Sequence, residues 1–384
     1  MPEVSRTSAV MPRSAIREMA ALATGMDNVV SLVFGEPDFY TPQNIIDAGI
    51  KALERKETHY TPNAGIMCLR EAIAETYKPR NMCYSAEEIL VTSGAVNALL
   101  LAMMAVVEHG DEVIISDPSW SNYLGMVMQV GGKPVPVQVY EQNGFMYDIN
   151  DLRKAITSKT KAIVLNSPSN PTGGVASKEN LEAIAKLAVE KDLFIITDEI
   201  YRQLIYTGEE YTSIASFEGM KERTIIIDGF SKAYAMTGWR IGYAASDKNI
   251  IAIMTKLLEN VVSCVNSVAQ YAALEAIKGS QEPVAQMREQ YKKRRDIIVA
   301  GLNSIKGISC IMPKGAFYAF PNISKTGLTS KEFATRLLNE KHVVTVPGIG
   351  FGEGGEGFIR LSYATSEENI RESLKRIREF VESI

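Results

Sequence analysis

Four segments of this chain each end an apolar run on residues that can do chemistry: "SDPSW" (116–120), "NSPSNPTG" (166–173), "TDEIY" (197–201) and "GFSK" (229–232). They place Trp120, Asn170, Asp198, Tyr201, Ser231 and Lys232 where β-branched runs stop, and Arg240 follows one short turn later in "SKAYAMTGWR" (231–240). A lysine at the end of a buried run is costly unless its charge is paired or its amine is committed to a reaction. The chemistry open to such a set is nucleophilic. A lysine amine condenses with an aldehyde, and a buried carboxylate can keep a heteroaromatic nitrogen protonated.

Together these parts describe a site for pyridoxal 5'-phosphate, a cofactor whose ring is an electron sink that the protein holds and tunes. Lys232 supplies the amine and Asp198 the partner of the pyridine nitrogen. Donors for the phosphate are the Ser231 hydroxyl, the Arg240 guanidinium and the free backbone N–H groups of "TSGAVNALL" (92–100), where a strand gives way to a helix. Trp120 offers a flat apolar face on which a ring can stack. Taken singly, each residue has an ordinary reading: a surface lysine, a capping aspartate, a core tryptophan, an Arg240–Asp198 ion pair. The joint reading prevails because all the parts fall at strand ends, in an order that one crevice can use.

The elements that must position them alternate regularly. Strands are expected at "EILVT" (88–92), "DEVIISD" (111–117), "KAIVLNS" (161–167), "LFIITDE" (193–199), "RTIIIDGF" (223–230) and "IGYAAS" (241–246), with amphipathic helices such as "KENLEAIAKLAVEKD" between them. Strands apolar on both faces, separated by helices, predict an α/β fold with a mainly parallel sheet sandwiched by helices. In such a sheet the ligand sits at the carboxyl ends of the strands. Beyond about residue 247 the sequence turns to long charged helical stretches and then to "GAFYAF", "VVTVPG" and "GFIRLSYA", read as a smaller α+β domain. The loop "GFGEGG" (350–355) matches G-x-G-x-x-G in form, but a strand follows it instead of a helix, so it lacks the phosphate-cradling geometry.

Bulk properties exclude several classes. The 384 residues are 46% apolar, and 41 Lys+Arg against 45 Asp+Glu give a net charge of -4, so no basic surplus exists to hold nucleic acid. Three histidines, none spaced i,i+4 from another, give no raw material for a histidine-rich metal site, and no metal is expected. Cys68, Cys83, Cys264 and Cys310 lie far apart and read as reduced thiols. The N-terminus has scattered charges and no apolar core, and "ALLLAMMAVV" is too short to span a bilayer, so a cytoplasmic location without membrane contact is expected.

At the level of whole motifs the chain resembles the fold type I pyridoxal phosphate enzymes, specifically class I/II aminotransferases similar to the bacterial aspartate aminotransferase group. The resemblance runs from "GEPDFYTP" (35–42) through "YTPNAGIMCLREAIA" (60–74), "NSPSNPTGG", "TDEIY" and "SKAYAMTGWRIGYA" to "RLSYATSEENI" (360–370). It implies that Lys232 carries the cofactor and then shuttles a proton between the substrate's α-carbon and the cofactor's C4' carbon. Asp198 matches the partner of the ring nitrogen. Tyr201 and Asn170 match the groups that hydrogen-bond the ring's phenolic oxygen, which lowers the pKa of the lysine–cofactor imine. Ser231, Arg240 and the Ser93-Gly94-Ala95 turn match the phosphate cup. Tyr60 matches a tyrosine that reaches the phosphate of the other subunit, which implies a homodimer with shared active sites. Arg360 matches the arginine that grips the substrate's α-carboxylate, with Gly35, Trp120 and Asn170 on the substrate side.

The activity so implied is transfer of the amino group of an L-amino acid to a 2-oxo acid, with 2-oxoglutarate as the expected acceptor. The mechanism is ping-pong, with the cofactor alternating between pyridoxal and pyridoxamine forms, and the setting is amino acid metabolism. Members that favour dicarboxylic donors often carry a lysine where this chain has Val96, so a neutral or aromatic donor is expected. The same scaffold supports lyases and synthases on amino acids, and a non-catalytic ligand-sensing role is a more distant alternative. The expected organisation is an N-terminal arm (1–13), a small domain built from 14–47 and 276–384, and a large cofactor-binding domain at 48–275.

Overall fold

The computed structural model describes residues 4–384. Its strands, in chain order, are β1 (Val30–Ser31), β2 (Ile89–Thr92), β3 (Glu112–Asp117), β4 (Lys133–Gln138), β5 (Thr160–Asn166), β6 (Phe194–Asp198), β7 (Thr224–Gly229), β8 (Gly242–Ala245), β9 (Tyr318–Ala319), β10 (Val343–Val344), β11 (Val346–Pro347) and β12 (Ile359–Ser362). Seven of them form the central sheet in the order β2-β8-β7-β6-β5-β3-β4. Only β8 runs against its neighbours in this sheet; the pairs β3/β4, β3/β5, β5/β6 and β6/β7 are parallel. The fold is α/β, with a mainly parallel sheet flanked by helices, as the alternation of runs predicts.

All six residues of β7 and all four of β2 and of β8 are buried, which is why those runs show no polar alternation. Ile225, Ile226 and Ile227 have no exposed surface at all, and truncating one such side chain to alanine costs about 2–5 kcal/mol. The helix Ala95–Val106 lies against this core and buries Ala98, Leu99, Leu101, Ala102, Met103 and Val106. It has no polar face to expose, because β7 and β8 lie against one side of it and the helix Lys248–Val261 contacts it as well.

One strand of the sheet is missing from the sequence reading. β4, "KPVPVQ", carries Pro134 and Pro136, and proline argues against a strand because it cannot donate to a ladder. β4 is the last strand of its sheet, which resolves the conflict. Lys133 and Val139, at odd positions, donate their N–H groups inward to Asp111 and Asp117, so the even-numbered prolines turn toward the open edge.

The C-terminal part of the chain forms two small sheets, one of them with the N-terminal strand β1. β1 pairs in parallel with β10, and β11, β12 and β9 form an antiparallel ribbon. The C-terminal helix Glu367–Val381 buries Ile370, Ser373, Ile377 and Phe380, spaced three or four apart, against this region. The glycine-rich loop at 350–355 acts as a fastener. The Gly354 N–H donates to the Asp117 carboxylate at 3.0 Å, and the Ser119 N–H donates to the Phe351 carbonyl at 2.9 Å. Gly352, at φ +122°, lies so close to Asp117 that a Cβ would collide with the carboxylate, so the glycines here serve close approach rather than phosphate binding.

Candidate active site

At the carboxyl end of the sheet, neighbouring strands stop nearly in register: Asn166 stands beside Asp198, and Asp198 beside Ile227. The loops that follow them enclose a cavity of about 830 Å³. Ala95, Trp120, Asn170, Asp198, Tyr201, Ser231, Lys232, Arg240 and Arg360 all line it, together with Gly35. The structure therefore brings together most of the residues singled out in the sequence, from seven separate segments.

Asp198 ends β6 and is 3% exposed. Its Oδ2 accepts from the Tyr123 hydroxyl at 2.7 Å and its Oδ1 from the Ile200 N–H at 3.2 Å. No cation lies within ion-pair distance among the described residues, so burial pushes its carboxyl up to about 6 despite those two bonds and the attraction of Lys232. Asn166 anchors the neighbouring loop: its amide donates to the Asp198 carbonyl at 3.1 Å, and its Oδ1 accepts from the Asn170 N–H at 2.8 Å.

Lys232 Nζ donates to the Gly35 carbonyl at 2.6 Å. Burial lowers its ammonium to about 8, with Glu36 and Asp198 opposing and Arg240 and Arg360 assisting. Such an amine is released from its proton more readily than a surface lysine. Gly35 is tied to the site in a second way, because a Cβ there would run into the Tyr318 hydroxyl.

Gly94 takes φ +83° at the turn from β2 into the helix Ala95–Val106, and a Cβ there would stand 2.6 Å from Arg240 Nη2. Glycine thus lets the guanidinium lie over the start of the helix, whose first N–H groups have no acceptor within it. Gly242 opposite, in β8, leaves room for the Gly94–Ala95 backbone in the same way. Arg240 is held by one bond from Nη1 to the Thr237 carbonyl at 3.1 Å. The Ser93 N–H is already taken by Asn97 Oδ1 at 3.1 Å.

Arg360 has no exposed surface. Its Nη1 donates to Asn170 Oδ1 at 3.0 Å and its Nη2 to the Val33 carbonyl, while Nε has no partner. The rings of Tyr318 and Phe351 flank it at 4.7 and 5.0 Å from the guanidinium carbon. With burial working against it and no carboxylate near, its charge is disfavoured. Tyr60, by contrast, is 92% exposed and does not line the cavity of its own chain; Tyr40 is 94% exposed.

Several lining residues escaped the sequence reading. Tyr123 follows Trp120 by three positions, and their rings meet edge to face at 5.3 Å, so helical spacing after "SDPSW" was the available signal. Tyr318, inside the apolar "GAFYAF", gave none. The helix Ala15–Leu22 contributes Ile16 and Arg17 to the wall, where Phe34, Val96 and Leu99 add apolar surface.

A family model for aminotransferase class I and II matches residues 27–377. The aspartate aminotransferase of Pyrococcus abyssi is 46% identical over 368 residues, which cover 95% of this chain and 94% of that protein. Aromatic-amino-acid aminotransferase 2 of Thermococcus litoralis is 42% identical over 368 residues, with the same coverage of 95% and 94%. Among solved structures, the aspartate aminotransferase from Thermus thermophilus with maleate matches with a TM-score of 0.93 and 41% identity, over 99% of this chain and 100% of that one. The chain belongs to the class I and II aminotransferases of fold type I. It is a pyridoxal phosphate-dependent amino acid aminotransferase. No helix among the described residues is long and apolar enough to cross a membrane.

Proposed function

We propose that the 830 Å³ cavity is the aminotransferase active site, with Lys232 as the residue that carries pyridoxal phosphate and moves the proton. The observation that carries this reading is a set of charged groups in no ion pair among the described residues around one cavity: buried Asp198 and Arg360 and half-buried Lys232. Each is costly alone, and each is complementary to a part of the cofactor–substrate pair. The donor set fits the group: a carboxylate for the ring nitrogen, phenol and amide for the ring oxygen at Tyr201 and Asn170, and Ser231, Arg240 and the turn at Ser93, Gly94 and Ala95 for the phosphate. When bound, the ring takes up the electron pair released at the substrate's α-carbon. Lys232, with its ammonium lowered to about 8, keeps free base near neutral pH and carries the proton from the α-carbon to C4'. Arg360 orients the α-carboxylate, with Asn170 and the Gly35 segment beside it, and Trp120 covers one face of the ring.

The wall formed by Ile16, Phe34, Val96 and Leu99 supports a neutral or aromatic amino donor. Arg17, on the same wall, has no side-chain hydrogen bond or ion pair among the described residues and suits the second carboxylate of 2-oxoglutarate. Exposed Tyr60 and Tyr40 support a homodimer in which Tyr60 reaches the phosphate of the other copy. The unit that closes over substrate is the small domain, 14–47 with 276–384, since Gly35 and Arg360 belong to it and Lys232 to the large domain at 48–275.

The test is an absorption spectrum of protein loaded with pyridoxal phosphate, followed by addition of single amino acids. The wild type shows a visible band that shifts with a good donor, and Lys232→Ala lacks it; a wild type without such a band sinks the reading. Glutamate formed from 2-oxoglutarate marks transamination, whereas ammonia released without an acceptor marks a lyase.

A further inference from the structure

β9 is two residues long, yet it sets Tyr318 opposite Ser362 of β12, so that Tyr318 and Arg360 are diagonal neighbours on one face of the ribbon. Tyr318 is 1% exposed and lines the cavity. Three parts of the site meet on it. Its hydroxyl lies 2.7 Å from that of Tyr201, its ring lies under the Arg360 guanidinium, and its oxygen bounds the space at Gly35.

We infer that Tyr318 is a positioning residue that donates its proton to Tyr201 and thereby fixes Tyr201 as a donor to the cofactor, while its ring holds Arg360 in place for the substrate carboxylate. The inference rests on the pyridoxal phosphate reading above. A phenol has one proton to give. If Tyr201 gives its own to the ring oxygen of the cofactor, the bond between the two tyrosines must be filled by Tyr318. The Tyr318 hydroxyl has no other partner among the described residues. Burial raises both phenols, so both protons stay in place across the working pH range. A chain of two such bonds polarises each member, and Tyr201 becomes the stronger donor for it.

The two duties separate by substitution. Tyr318→Phe removes the hydroxyl and keeps the ring; Tyr318→Leu removes both. The charged groups facing the pair, Asp198, Lys232 and Arg360, are present in each variant. With Tyr201 weakened as a donor, the ring oxygen is less well stabilised and the cofactor-linked nitrogen holds its proton more tightly. In Tyr318→Phe the pH midpoint of the visible band is expected to rise by about 0.5 unit, with KM for the amino donor within about twofold of wild type. Tyr318→Leu shows the same spectral shift and, in addition, a KM higher by about fivefold, from the lost contact with Arg360. In a Tyr201→Phe background, Tyr318→Phe produces no further shift.

An unchanged midpoint in Tyr318→Phe, or a shift of equal size when Tyr201 is already phenylalanine, overturns the assignment. Failure of Tyr318→Phe to fold overturns it too, because the hydroxyl would then have a structural duty. A wild type without a visible band refutes the cofactor reading itself, and so is distinguishable from either result.

Discussion

Arg202, in the turn after β6 of the central sheet, and Arg360, in β12 of the antiparallel ribbon, are mostly and wholly buried, and their charges are met in opposite ways. Arg202, in the turn after β6, pairs through Nε with Asp228 of β7, which also accepts from the Tyr243 hydroxyl at 2.9 Å and the Gly229 N–H at 2.7 Å. Burial works against its charge, but Asp228 overrides it and pushes its pKa up. Arg360 is buried more completely and meets only an amide, a carbonyl and two rings, so its pKa is pushed down. A paired buried charge is complete within the fold; an unpaired one that lines a cavity implies an ion from outside. Asp198 repeats the second pattern with the opposite sign, on the strand next to that of the satisfied Asp228.

The strongest way to break the contrast is Arg360→Ala. Losing two charge-assisted bonds of about 2 kcal/mol each to a bound carboxylate lowers kcat/KM about a thousandfold. The cofactor spectrum and the urea midpoint stay near wild type; a loss below tenfold would place the carboxylate elsewhere. Arg202→Ala should show the reverse. Leaving Asp228 buried and unpaired costs about 3 kcal/mol or more of stability, read from urea unfolding, with little change in kcat/KM of the folded enzyme. The apolar double variant Arg202→Met with Asp228→Leu recovers much of that loss.

A smaller effect sharpens the same comparison at Asp198. Its carboxyl titrates at about 6 in the folded chain against about 4 when unfolded, so the folded state binds the proton more tightly. Stability of the cofactor-free protein therefore falls as pH rises from about 4 to 6 and stays lowered above that. Asp198→Asn removes this contribution: turnover is lost, yet the cofactor-free melting temperature at pH 7 rises by about 2–4 °C. An equal melting temperature in both proteins at pH 7 would mean that Asp198 is not strained by burial. The smallest effect belongs to Arg17, which is exposed: Arg17→Ala raises KM for 2-oxoglutarate about threefold and leaves an aromatic donor unaffected, as steady-state kinetics with each substrate varied would reveal.

Residues that end long apolar runs were readable from sequence because a strand end in a parallel sheet dictates where its next side chains go. Trp120, Asn170, Asp198, Ser231 and Lys232 all follow that rule and all line one cavity. What stayed hidden depends on contacts between distant segments. Tyr123 matters because it reaches Asp198, 75 residues on, and Tyr318 because it reaches Tyr201, 117 residues back. The attachment of the glycine-rich loop at 350–355 to Asp117 could not be inferred from spacing. β4 carries two prolines, which obscure a strand in the sequence unless its place at the sheet edge is known.

That edge has a consequence for how copies of this protein can meet. A sheet that ends on a bare strand offers a ladder of donors and acceptors to any extended chain that drifts past it. Here the outward positions of β4 are Pro134, Pro136 and Gln138, so a passing strand finds the N–H missing at two of the three. Growth of the sheet from one molecule into the next is therefore disfavoured at its last strand, which leaves self-association to side-chain surfaces.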